Sequence, residues 1–321
     1  MKNSSSFTDL HLPVRSISLP TRVHPTSVKL ESALNHLKTW QISSPVMGAE
    51  MLQNGLVGLA EMYSCIEEFI SSITQTQQTL LRHENGQFLE EALDKSVTLI
   101  DTCSSSRDLL LMMKENVQTL QSALRRRRDS SSIENEISSY MTFRKKMNKE
   151  ISKSLQALKK LEGKNKTTIL SNTTSDHDQH VSFTIKVLSQ ATAITISIFR
   201  SLLTFVSMST SNKMKLGGWS LISKLMKMRP LSSSSDDHHQ KIINQVESVD
   251  FAVYSLHGSS RSSNGSDSDK ASEVNMTQKM LQGLNSLVYN LHDQPHLYKV
   301  SYEKESLTYP LLPCVYLDFH S

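Results

Sequence analysis

Apolar residues between Leu89 and Leu124 recur at spacings that mostly alternate between four and three, and this repeat constrains the fold more than any other feature. The positions are Leu89, Leu93, Ser96, Ile100, Cys103, Ser106, Leu110, Met113, Val117, Leu120 and Leu124. A heptad repeat of this kind forms a seam along a helix, and the seam requires a second helix to pack against. Because two seam positions are Ser, the repeat predicts one long helix with a bend or an interruption near residues 104–106.

The residues after the seam predict that the chain turns back on itself. Arg125–Arg128 place cations at the C-terminus of the helix, where they complement the helix dipole. Ser131–Glu134 has the pattern of a capping box with Ser as the N-cap. A second apolar stripe follows, formed by Ile133, Ile137, Tyr140, Met147, Ile151, Leu155, Leu158 and Leu161. Two long amphipathic helices joined by so short a turn predict an antiparallel helical hairpin at about residues 86–162.

The rest of the chain favours the same fold class. No Pro occurs between residues 46 and 228, and aromatic residues make up only 6% of the sequence. Further helices are predicted at 26–40, 47–70, 181–208, 219–228, 242–256 and 271–291. We therefore predict an all-α, multi-helix bundle domain over residues 26–291, with linkers near 163–180, 229–240 and 258–270.

The two ends of the chain differ from the bundle. Residues 1–25 are Ser-rich and basic, which fits either a plastid transit peptide or a disordered cytosolic tail, and the composition favours the tail. Residues 292–321 contain three Pro and several aromatic residues without a helical period, and they predict an irregular C-terminal tail.

The charge of the chain is concentrated in the hairpin. Residues 107–166 hold fifteen Lys and Arg against seven Asp and Glu. An ordinary solvated face is the simpler interpretation, and docking to an acidic lipid surface or an acidic partner helix is the functional one. Nucleic acid is not expected, because no aromatic residues interleave the basic ones. The candidate anion-binding residues are Arg125, Arg126, Arg127, Arg128, Lys145, Lys149, Lys153, Lys160 and Lys164.

Ser130 is a candidate phosphorylation site. The sequence Arg127-Arg128-Asp129-Ser130 resembles the substrate sites of kinases that prefer arginine upstream of the modified serine. A phosphate at this position would lie between the arginines and the start of the next helix, and both favour negative charge. The hypothesis is that modification of Ser130 stiffens the turn and masks the basic patch.

Catalytic and metal-binding motifs are missing from the sequence. It contains no Gly-rich phosphate loop, no H-E-x-x-H and no G-x-S-x-G. The nearest metal-like cluster is residues 236–239, but adjacent residues in a Ser-rich linker rarely converge on one ion. Cys65, Cys103 and Cys314 lie far apart and fit a reducing compartment. We therefore expect a cytoplasmic protein that is not an enzyme and holds no cofactor or metal.

The helix predicted at residues 181–208 is apolar nearly all round. Lys186 and Arg200 leave thirteen uncharged residues between them, whereas a membrane span needs about 20. We expect a buried core helix in which Arg200 pairs with a carboxylate of the bundle.

Several strings of residues resemble the plant proteins grouped as domain of unknown function 241. They are Leu19-Pro20, His24-Pro25, Gly55–Cys65, Asp101–Cys103, Arg107-Asp108, Gln118–Arg127, Ser131–Glu134, Arg144–Met147 and Gly218–Met226. The resemblance implies a plant source and an all-helical intracellular protein, with a loose association with root and shoot development. It assigns no functional residues, and it ends at about Leu291, where family members usually continue in an Arg- and Leu-rich helix.

Two function classes follow from these features. The first is a non-enzymatic interaction or scaffold protein that binds partner proteins, of unknown identity, or self-associates. The second is a peripheral membrane protein that binds anionic lipid through the basic face of residues 133–164.

Overall fold

The computed structural model describes residues 25–42, 48–72, 86–126, 130–168, 179–207, 244–261 and 267–292. Helices account for 98% of these residues, and no strand occurs among them, which confirms the predicted all-α class. The helices are α1 (Pro25–Ile42), α2 (Ala49–Ser72), α3 (Gly86–Arg126), α4 (Ser130–Thr168), α5 (Gln179–Val206), α6 (Gln245–Arg261) and α7 (Asp267–His292).

The hairpin of α3 and α4 is the largest unit of the bundle, and it confirms the prediction from the heptad seam. The seam is buried from Ser106 to Leu124, and α3 packs along α4, whose inward stripe is buried at most positions between Ile137 and Leu161. Each fully buried Leu, Ile or Met side chain contributes roughly 1.5–3 kcal/mol to folding. The seam and the stripe therefore provide much of the energy that holds the two long helices together.

A bend near residues 104–106, the other alternative, stays a prediction, but the predicted interruption of the first hairpin helix is wrong, because α3 continues through these residues. The reason is local hydrogen bonding. The hydroxyl of Ser106 donates to the backbone oxygen of Thr102 at 2.7 Å, and the hydroxyl of Thr102 donates to that of Thr98 at 2.9 Å. These bonds satisfy buried hydroxyl groups inside the helix, so the polar seam positions do not break it.

Helices also extend into two of the predicted linkers. Helix α4 continues through Gly163 to Thr168. A Cβ atom on Gly163 would have no neighbour within 4 Å, so no close contact requires a glycine at this position. Helices α6 and α7 cover residues 258–261 and 267–270, and α7 opens with Asp267 and Asp269, whose charges favour a helix N-terminus. The predicted linker at 229–240, the helix at 219–228 and nearly all of both tails lie outside the described residues.

Helices α1 and α2 approach each other closely at two glycines. A Cβ atom on Gly55 would lie 2.6 Å from the Trp40 ring, and one on Gly58 would lie 2.8 Å from Leu37. The ring nitrogen of Trp40 also donates to the backbone oxygen of Met51 at 2.7 Å. At Gly55 any side chain would clash with the ring that this bond holds in place, whereas at Gly58 the end of the Leu37 side chain would have to shift.

Helix α5 lies at the centre of the bundle. It packs on α1, α2, α3 and α4, while α6 and α7 pair with each other and cover the hairpin. Its buried side chains run from Val187 to Val206. The outer faces of α3 and α4 are thereby left as one broad surface of the bundle.

Candidate functional site

The predicted basic face lies on the outside of α4. Lys145, Lys149, Lys153 and Lys160 are exposed, as is Lys146, and together these five form what we call the lysine face. The apolar stripe of α4 holds the opposite side of the helix in the bundle, so the helical period turns these lysines to solvent. The basic face is therefore continuous along α4, as the spacing predicts.

The remaining candidate residues belong to the ends of the two hairpin helices or to the residues between them. Arg125 and Arg126 are exposed in the last turn of α3. Arg127 and Arg128 lie outside the described residues. Lys164 belongs to α4 and Ser130 is its first residue, but their side chains lie outside the described part of the structure. The proposed phosphorylation site is thus placed at the start of α4, and its modification stays a hypothesis.

A row of carboxylates runs along the exposed side of α3, and sequence reasoning missed it. It consists of Asp94, Asp101, Asp108 and Glu115, which are all exposed and follow one another at seven-residue spacing. We call these four residues the acidic row. Seven residues are nearly two helical turns, so the four side chains lie along one line of the helix. The seven-residue spacing is visible in the sequence, although basic residues outnumber acidic ones over residues 107–166.

The ion pairs that these surfaces show are formed within single helices. Arg107 pairs with Asp108 at 3.1 Å, and Lys153 pairs with Glu150 at 2.9 Å. Both pairs are largely exposed to solvent, so each contributes at most about 1 kcal/mol. Their charges can therefore exchange partners at low cost.

A buried ion pair lies on the opposite side of α4. The guanidinium of Arg144 binds the Asp250 carboxylate of α6 through Nε at 2.8 Å and Nη2 at 2.7 Å. The Tyr140 hydroxyl donates to the same carboxylate at 3.0 Å, and Nη1 of Arg144 donates to the backbone oxygen of Val206 at 3.1 Å. The side chains of Arg144 and Asp250 are only 1% and 7% exposed. The cluster has no open position for a ligand, so it acts as a clasp between α4, α5 and α6.

The surroundings of the clasp shift two pKa values. Burial lowers the pKa of Arg144, but the charge and hydrogen bonds of Asp250 outweigh it and raise the pKa above its usual value. Burial, followed by the negative charge of Asp250, raises the pKa of Tyr140 well above 10. Both groups therefore keep their protons throughout the neutral range.

Asn244 adds a second link at the same end of the bundle. Its side-chain oxygen accepts from the backbone nitrogen of Glu247 at 2.8 Å, as an N-cap of α6 does. Its amide nitrogen donates to the backbone oxygen of Phe205 at 3.0 Å. Arg144 and Asn244 thus satisfy the carbonyl groups that end α5.

Helix α5 is long and apolar enough over Ser182–Val206 to span a membrane by length and composition alone. Core helices of soluble proteins meet the same criterion, and α5 packs against four other helices. Its Arg200 binds Glu162 of α4 at 2.6 Å, which confirms the predicted pairing with a bundle carboxylate. The contacts of α5 within the bundle account for its apolar composition.

The described residues contain no group of three or more His, Cys, Asp or Glu side chains that could hold a metal ion. The cluster at residues 236–239 lies outside them. Cys65 is buried and Cys103 is half-buried, and neither forms a disulfide bond. Burial raises the pKa of the Cys65 thiol, which makes it a poor nucleophile.

The chain matches a known protein family. The family model described as "BPS1: Protein BPS1" matches residues 55–296, which are about three quarters of the chain. No curated protein and no solved structure matches the chain.

Proposed function

The chain belongs to the BPS1 family, a plant family of unknown molecular function linked to root and shoot development, and from this premise we propose that it is a non-enzymatic, cytoplasmic interaction protein. Its lysine face binds an acidic helix of a partner protein. The observation that carries the proposal is the row of exposed lysines on the outside of α4. The family membership agrees with the resemblance to domain of unknown function 241.

The chemistry of α4 supports an electrostatic interaction. The large apolar side chains that are exposed in the described residues lie on α1, α3 and α7, and α4 contributes none of them. Recognition through the lysine face therefore depends on charge, which acts on the rate and specificity of binding more than on its strength. Such binding weakens as salt rises.

The arrangement of the charges supports a helix as the partner rather than a membrane. The cations form a line on a single helix, and the neighbouring surface of α3 carries the acidic row. A flat anionic membrane would engage cations spread over several elements, and it would repel these carboxylates. A line of carboxylates on another helix fits the line of lysines better.

Titration with a synthetic helical peptide that carries one row of Glu side chains tests the proposal. Fluorescence anisotropy at low salt should show binding, and the Lys149→Glu/Lys160→Glu variant should bind about tenfold more weakly. The control variant, Lys186→Glu/Lys279→Glu, carries the same charge change at exposed positions of α5 and α7. Equal loss in both variants, or no binding to the wild type, would contradict the proposal.

Binding to anionic lipid is the second candidate function, favoured by the net positive charge of α4. Its sequence contains nine Lys and Arg against four Glu. Sedimentation with phosphatidylserine vesicles at low and high salt separates the two functions. Salt-sensitive co-sedimentation that Lys149→Glu/Lys160→Glu abolishes, without peptide binding, would establish the lipid function instead.

A further inference from the structure

The lysine face and the acidic row lie at matching heights on the hairpin. Helix α3 ends at Arg126 and α4 begins at Ser130, so positions whose numbers sum to about 256 lie level with each other. Lys149 is then level with Asp108, and Lys160 is level with Asp94, each to within about two residues or 3 Å. Along the hairpin, Lys149 and Lys160 therefore each have a carboxylate of α3 at nearly the same height.

Both sets of charges flank the groove between the two helices. Glu115 of the acidic row lines this groove, together with Ser122 of α3 and with Ser132 and Glu136 of α4. The lysine face occupies the exposed arc of α4 next to it. One outer surface of the bundle thus carries a negative stripe and a positive stripe side by side.

We propose that this surface pairs with the same surface of a second copy of the chain, so that the lysine face of each copy binds the acidic row of the other. This proposal rests on the function proposed above, and it identifies the acidic partner helix as α3 of the second copy. Charge complementarity favours a second copy as the partner. The surface that binds the lysine face must be negative, straight and periodic, and the acidic row of α3 has these properties.

A two-fold axis parallel to the hairpin satisfies the geometry. Rotation about such an axis places α3 of one copy over α4 of the other and keeps every residue at its own height. The pairs that are level within one chain are then level across the interface, and each pair occurs twice. A surface made mainly of charged side chains, to which α3 adds only Val97, Leu111 and Met112 as large exposed apolar ones, gives a weak and salt-sensitive dimer.

Sedimentation-velocity ultracentrifugation of the full chain tests the proposal. At low salt the weight-average sedimentation coefficient should rise with concentration, and high salt should remove the rise. Lys149→Glu/Lys160→Glu and Asp94→Lys/Asp108→Lys should each weaken self-association about tenfold. All four positions are exposed, so circular dichroism should show an unchanged helical content.

Mixing the two variants provides the decisive measurement. In the mixture each lysine introduced on α3 of one copy faces a glutamate introduced on α4 of the other, so the heterodimer should form again. The control for the carboxylates is Glu50→Lys/Glu61→Lys, which reverses two exposed charges on α2 and should leave self-association unchanged. A monomer at every concentration in low salt, or a mixture that stays monomeric, would overturn the proposal.

The two proposals fail in different ways. If the chain is monomeric but the Glu-row peptide still binds through Lys149 and Lys160, the proposed function stands and the second copy is not the partner. If neither the peptide nor a second copy binds, both proposals are wrong.

Discussion

Replacement of Arg144 by Met should destabilise the bundle strongly. The variant keeps most of the side-chain volume but leaves the Asp250 carboxylate buried without its cation, with the Tyr140 hydroxyl still donating to it. The backbone oxygen of Val206 also loses a donor. Removal of one partner from a buried ion pair costs about 3–5 kcal/mol, because the remaining charge is no longer compensated.

The cost can be measured by urea unfolding followed by circular dichroism. With a slope of about 2 kcal/mol per molar urea, a loss of about 4 kcal/mol lowers the midpoint by about 2 M. Lys145→Met is the matched control, because it removes the same charge from the next, exposed position of α4. Its midpoint should stay within about 0.3 M of the wild type, as surface substitutions usually do.

A second variant separates the cost of an unpaired charge from the net value of the clasp. Arg144→Met combined with Asp250→Leu replaces both charged groups by apolar ones, and such replacements are often neutral or stabilising. The midpoint should then recover most of the loss caused by Arg144→Met alone. A shift below about 0.5 M for that single variant, or an equal shift for Lys145→Met, would refute the reasoning.

Three further predictions concern buried groups. Gly55→Ala should lower the free energy of unfolding in urea by about 1–3 kcal/mol, because its Cβ would lie 2.6 Å from the Trp40 ring. Gly283→Ala is the control: its Cβ meets nothing within 4 Å, so the substitution should stabilise α7 by up to about 1 kcal/mol. Equal changes in the free energy of unfolding for the two variants would contradict this prediction, because they would mean that α1 and α2 can move apart at no cost. The raised pKa of Tyr140 means that the unfolded chain releases this proton near pH 10 while the fold retains it. Stability should therefore fall as pH rises above about 10, with a smaller slope in Tyr140→Phe, and equal slopes would contradict this. Cys65 should react with iodoacetamide slowly at neutral pH and rapidly in urea, because burial raises the pKa of its thiol, and fast reaction of the folded protein would disprove the burial.

Periodicity predicted much of the fold because it records which side of a helix is buried. The seam of α3 and the stripe of α4 gave the hairpin, and the spacing of the lysines gave their exposed face. Gly55 and Gly58 are three positions apart and so share one face of α2, where α1 approaches closely. Each of these features depends on residues that are near in sequence.

Arg144 shows why the clasp could not be predicted. The apolar stripe of α4 steps from Tyr140 to Met147, and Arg144 fills the gap at the position where a core residue would stand. That gap was the only signal in the sequence. Its partner, Asp250, lies 106 residues away, and no local pattern connects them.

The links at the end of α5 have a consequence for how this chain can vary in length. Asn244 holds Phe205, and Arg144 holds both Val206 and Asp250, so the two ends of the connection between α5 and α6 are fixed to the bundle. The end of α5 and the start of α6 are therefore held in register by side chains of the bundle itself, whatever number of residues a related chain has between Ser207 and Asn244.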